Sequence, residues 1–124
     1  MDNLSEFCAP ESKFKKEMIV VADNVSLRVA TFTPPAKNDN PAVVFVAGWI
    51  SLIEGWKEVL LEMTKDFTVY YIETREKISS RVKGKVQYGV QAIGQDVVTI
   101  ISKLKLKSHF YIFIWKFPWS HSNS

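Results

Sequence analysis

Two unbroken apolar runs, "AVVFVAG" at 42–48 and "FTVYYI" at 67–72, bracket a stretch whose apolar residues recur every three to four positions. Runs without alternation need cover on both faces, which helices on either side of a parallel sheet supply. Between them, "IEGWKEVLLEMTKD" places Trp56, Val59, Leu60 and Met63 on one side and Lys57, Glu58, Glu62 and Lys65 on the other. That spacing predicts an amphipathic helix. A second such pattern, "YGVQAIGQDVVTIISKLK", sets Val90, Ile93, Val97, Ile100, Ile101 and Leu104 on one face, with Asp96 read as facing outward. The third apolar run, "HFYIFI" at 109–114, follows it. Strand, helix, strand, helix, strand is the order of a parallel sheet with right-handed crossovers.

Upstream, "EMIVVAD" is β-branched, Asn24 offers a turn, and "VSLRVATF" alternates apolar and polar residues, so 17–32 reads as a β-hairpin. The prolines of "TPPAKNDNP" at 33–41 forbid a continuing ladder. The expected fold class is α/β: an amino-terminal hairpin followed by a βαβαβ parallel sheet. Residues 1–16 read as a loose lead-in, 17–114 as the folded domain, 73–85 as a charged loop within it, and 115–124 as a tail unlike the rest.

Length and charge narrow the function classes. A chain of 124 residues with 47% apolar and 23% charged residues has the balance of one globular domain. The net charge of +3 comes from 16 Lys and Arg dispersed among 13 Asp and Glu, which does not make a nucleic-acid footprint. The single Cys8 excludes an intrachain disulfide framework and favours a reducing compartment. No stretch approaches the ~20 apolar residues of a membrane span, and the first residues lack the basic-then-apolar order of a signal peptide. A cytoplasmic location is the expectation.

The order of these elements resembles the first half of the α/β-hydrolase superfamily, over roughly residues 17–113. In that family a strand ends in a short apolar-Gly sequence whose next backbone N–H helps form the oxyanion hole. "FVAGW" at 45–49 sits at that place, with Ala47 where the family usually has His, so the resemblance implies backbone oxyanion donors at Gly48 and Trp49. Read from the residues alone, the same Gly is a strand-to-helix turn that relieves crowding. Glu73 and Arg75 match the acidic and arginine positions of the family's Asp-x-Arg-Gly type turn, while Glu76 replaces the glycine. Both charged residues are expected to order their loop rather than meet a substrate.

What the family places next is the nucleophile elbow G-x-S-x-G, where small residues flank a Ser on a crowded, strained turn. These 124 residues contain no such motif. The resemblance therefore implies an acyl hydrolase of small substrates for the parent, and no catalytic residue and no activity in this chain. Trp115 and Trp119 are encoded only by TGG, and a reading frame one base later turns both into Gly at the elbow's spacing of four. One permitted shifted reading of the segment is G-S-S-L-G-A-T-A-I, which points to a frameshifted or mis-predicted product.

Other candidates carry less. "GWISLIEG" lacks the glycine and Lys-Ser/Thr pattern of a phosphate loop. Ser51, Ser79 and Ser80 are loop hydroxyls with no base nearby in sequence, since the histidines are His109 and His121. Those two with Cys8 lack metal-ligand spacing, so no metal and no cofactor is expected. The aromatic tail has Phe110, Tyr111, Phe113, Trp115, Phe117 and Trp119 with Lys116, suited to a membrane interface, but no apolar helical face set against a cationic one. An open sheet edge that recruits another strand, including self-association, is the non-catalytic alternative.

Overall fold

The computed structural model describes residues 3–47, 51–106 and 109–114. Among these, six strands form one mixed sheet: β1 (Lys13–Ala22), β2 (Val25–Thr33), β3 (Ala42–Val46), β4 (Val69–Ile72), β5 (Arg81–Val82) and β6 (Phe110–Ile114). Helices α1 (Lys57–Met63) and α2 (Val90–Leu104) complete the α/β character. The strand order is β1-β2-β4-β3-β6, with β5 paired to β2 off that path. β1 and β2 run antiparallel from Lys13↔Thr33 to Ala22↔Val25, with a register shift between Val20 and Ala22. β2 is antiparallel to β4, whereas β3 lies parallel to both β4 and β6.

Successive side chains of a strand face opposite ways, so an unbroken apolar run feeds two cores. Val43, Phe45 and Ala47 join Ala30, Phe32, Val69 and Tyr71 on one face, where Leu60 of α1 is buried. Val44 and Val46 join Leu27, Val29 and Ile72 on the other, beneath Val97 and Ile100 of α2. Phe45 is the hub of the first core. Its ring lies 4.6 Å from Phe113, 5.0 Å from Trp56 and 5.3 Å from Tyr71, centroid to centroid.

With seven residues, α1 is shorter than the ~12–15 that hold an isolated helix in water, so its packing on the sheet stabilises it. A 3-10 helix, Ile53–Trp56, precedes it and buries Ile53. The single amphipathic helix expected there is thus divided in two. Trp56 and Met63 pack against the core as their spacing implies, whereas Val59 is exposed.

Two features depart from the sequence expectations. The lead-in is not loose: residues Leu4–Phe7 form a 3-10 helix capped by the Asn3 side chain, and Leu4, Phe7, Cys8 and Ala9 are buried in the α1-side core. The Ala9 N–H donates to the Thr64 hydroxyl at 2.9 Å, fastening this segment to the end of α1, and β1 begins at Lys13 rather than Glu17. Second, the charged loop contains β5, which interrupts the plain alternation of strand and helix. Among the described residues β6 lies at the sheet edge and is largely exposed, the open edge that the sequence led us to expect.

Candidate active-site edge

Open α/β sheets bind ligands outside the carboxyl ends of their parallel strands. Here that edge is built by β3, β4 and β6, whose last residues are level through Val46↔Ile72 and Val46↔Ile114. Ala47, fully buried, carries the chain out of β3. Gly48 and Trp49, the oxyanion candidates, lie outside the described residues, and so do His121 and the tail from 115 onward. The chain is described again from Ser51, which is half-buried, and enters the core at Ile53.

The segment after β4 turns inward instead of spreading into solvent, and three acid–base pairs account for this. Glu73 pairs with Arg28 of β2. Arg75 grips Asp96 of α2 at two points, Nε to Oδ2 at 2.7 Å and Nη2 to Oδ1 at 2.6 Å, and its Nη1 donates to the Gln87 carbonyl at 2.8 Å. Lys77 Nζ donates to Glu76 Oε2 at 2.7 Å and to the Thr74 hydroxyl at 3.0 Å. The hydrogen bond it donates to Asp96 pushes the Arg75 guanidinium above its usual range, against an opposing effect of burial. Each cation thus faces an anion, and the cluster offers a substrate no net charge. Its work is positional: it ties the end of β4 to β2 and α2. Glu73 and Arg75 order their loop, as read from the sequence. Asp96, expected to face outward, is 2% exposed, because Arg75 supplies its counter-charge.

The serines divide by environment. The Ser80 hydroxyl is bonded between the carbonyls of Arg75 and Lys77, at 2.7 and 2.8 Å, which closes the turn. Ser79 Oγ and Glu76 Oε1 are buried without a hydrogen-bond partner among the described residues. His109 sits one residue before β6, at the opposite end of the sheet. At about 3.3 Å per residue it lies roughly 20 Å along the strands from the level of Ala47. It lines an open cleft of about 490 Å³ with Asn38, Tyr70 and Lys105. The structure therefore brings no histidine to the carboxyl edge among the described residues, and Cys8 is buried in the core. No group of three or more His, Cys, Asp or Glu positioned to hold a metal occurs among the described residues. Nor is any described helix long and apolar enough to cross a membrane.

Sequence reasoning missed Arg28, Lys77 and Asp96 as members of this cluster. For Asp96 a signal existed: it lies three residues after Ile93 and four before Ile100, on the helix's buried face. For Arg28, within an alternating strand, there was none.

No protein-family model matches the chain, and no curated protein sequence matches it either. Solved structures do. The Cif epoxide hydrolase from Acinetobacter nosocomialis superposes with a TM-score of 0.64 at 20% identity, over 80% of this chain and 29% of that one. A protein assigned as a lipase from Acinetobacter baumannii gives 0.64 at 11% identity, over 80% of this chain and 32% of that one. This chain has an α/β-hydrolase-like fold. A protein assigned as an epoxide hydrolase from Pseudomonas aeruginosa gives 0.62 at 19% identity, over 80% and 32% of the two chains. The α/β-hydrolase-like chain spans about a third of the length of these structures.

Proposed function

We propose that these residues form the oxyanion side of a hydrolytic α/β sheet, the amino-terminal part of a serine hydrolase acting on a small ester, thioester or amide. The observation that carries this reading is the placement of the β3 carboxyl end between those of β4 and β6. On this reading the residues that follow that end in sequence, Gly48 and Trp49, supply the backbone N–H donors for charge that develops on a substrate carbonyl oxygen. Such donors are worth about 2.7–4 kcal/mol of transition-state stabilisation. The hydrolase assignments of the structural neighbours support the reaction class.

The 124 residues contain no nucleophile elbow, and His109 is at the wrong end of the sheet to serve as base. Acyl transfer needs nucleophile and base within hydrogen-bond reach. On this proposal the chain alone is inactive, and its nucleophile, acid and histidine are encoded in a shifted frame that begins near Trp115. The single buried thiol fits a cytoplasmic setting.

Two measurements test this. Purified chain incubated with p-nitrophenyl acetate and a fluorophosphonate probe is expected to show no turnover above buffer and no labelled serine. Stoichiometric labelling of one serine together with ester cleavage would overturn the proposal. The nucleotide sequence from about codon 105 is expected to encode G-x-S-x-G in the frame one base later, followed by an Asp and a His. Early stop codons in that frame would remove the frameshift.

A further inference from the structure

α1 has little of its own to hold it in place. Its seven residues bury one side chain, Leu60, and Trp56 at its N-cap position, whose indole is a donor only, makes no capping hydrogen bond. A helix this short is stable through what it packs against. What meets both of its ends is the amino-terminal segment, residues 3–9. At the first residue of α1, Lys57 Nζ lies 3.7 Å from Glu6 Oε1. At the other end the Thr64 hydroxyl donates to the Leu60 carbonyl at 2.7 Å and accepts the Ala9 N–H at 2.9 Å. Leu4, Phe7 and Cys8 are buried in one cluster with Leu60, Phe32, Phe45 and Tyr71. The exposed ion pair contributes little, so the buried hydroxyl and the apolar side chains hold the contact.

The segment joins β1 through a turn at Pro10 and Glu11, closed by the Ser12 N–H on the Ala9 carbonyl at 3.0 Å. The β1–β2 ladder starts beyond that turn, at Lys13↔Thr33, so the segment can leave its seat without breaking the ladder. We propose that residues 3–9 are a strap that clamps α1 at both ends, and that strap and α1 dock and release as one unit while β2, β4 and β3 stay paired.

Proteins open in cooperative units whose free energies lie below that of global unfolding. Here strap and α1 hold each other, so neither keeps its seat without the other. Trp56 leads into α1 and meets Phe45 edge-on, 5.0 Å between centroids, and the turn Ile53–Trp56 brings back the chain that leaves β3. Release of the unit therefore uncovers the aromatic hub of that core and slackens the chain between the candidate edge and α1. The inference concerns the docking of α1 and is independent of the acyl-transfer reading.

Two readouts on the full chain test it, under conditions where closing outpaces labelling and exchange. Cys8, the single cysteine, sits buried in the strap, so its reaction with Ellman's reagent reports strap opening. Amide hydrogen exchange of residues 57–64, resolved by mass spectrometry, reports α1. Both are expected to give one opening constant with one shallow urea dependence, about tenfold or more above that of the β2 and β4 amides. Thr64→Val keeps the side chain's shape and removes the acceptor of the Ala9 N–H. It is expected to speed Cys8 labelling and α1 exchange by the same factor, about tenfold, whereas Thr64→Ser, which keeps the hydroxyl, stays within about threefold of wild type. Opening constants that differ between Cys8 and α1, α1 opening only together with β2 and β4, or Thr64→Ser as fast as Thr64→Val would each overturn the proposal. The wild-type measurements decide the matter if Thr64→Val fails to fold.

Discussion

Arg75, just beyond β4, and Asp96, in α2, are 21 residues apart in sequence and meet in a buried two-point ion pair at 2.6 and 2.7 Å. Their side chains are 7% and 2% exposed, so removing either partner strands a charge away from water. Asp96→Ala is expected to destabilise the fold by about 3–5 kcal/mol. The double change Arg75→Met with Asp96→Leu recovers most of that, because the stranded charge is then absent. The Gln87 carbonyl, which loses its Arg75 donor, accounts for the remainder. Urea unfolding followed by circular dichroism checks this; a double variant as unstable as the single would contradict it.

The amino-terminal segment belongs to the core, and Phe7 measures how strongly. Its ring is buried with Leu4 and Cys8 against the α1-side face. Phe7→Ala is expected to cost about 3–5 kcal/mol. A loose lead-in would make the same change nearly neutral, so the urea midpoint separates the two directly.

How legible the fold was depended on run length. Residues 42–47 and 67–72 declared covered strands because apolar residues followed one another without a break, and both faces of that stretch are in fact packed. Leu4 and Phe7 gave no period, since a 3-10 turn of four residues carries too few apolar positions to show one. β5, two residues long and paired among the described residues to Val25 and Ser26, left no pattern either. Within the candidate site the ordering role of Glu73 and Arg75 was readable, but not their partners. Arg28 is 45 residues from Glu73, and the contact between them exists only because β2 and β4 lie side by side. Asp96 was read outward from the helical period, yet three residues after Ile93 and four before Ile100 it shares their buried face.

Alkaline pH is expected to weaken the fold. Burial raises the Cys8 thiol above its ordinary 9.0, and burial followed by the Glu17 charge raises Tyr70 above its ordinary 10.0. Between the unfolded and folded values the folded state therefore holds protons that the unfolded chain releases. Stability from these groups is fully present below pH 9.0 and is lost as pH rises through the folded values. The urea midpoint should fall as pH is raised above 9.0, and Cys8→Ala should make that fall shallower. A midpoint rising with pH over that window would contradict the sign.

Two residues with side chains hold backbone conformations that glycine adopts at less cost. Lys105, which ends α2, has φ 52°, and Glu11, in the turn before β1, has φ 69°. In the left-handed region the Cβ crowds the following carbonyl, at a cost of roughly 1–2 kcal/mol. Helices commonly end in this conformation with Gly, which carries no such penalty. Lys105→Gly is expected to stabilise the chain by about 1 kcal/mol, whereas Lys105→Ala, which keeps a Cβ, gives no comparable gain. The alanine variant separates relief of backbone strain from loss of the lysine's charge. Glu11→Gly should add a similar increment, since the two positions share no partner among the hydrogen bonds and ion pairs of the described residues and such effects add for independent sites. Thermal melts of the two single glycine variants, the double and Lys105→Ala measure all of this. Equal gains from glycine and alanine at residue 105 would assign the effect to charge instead.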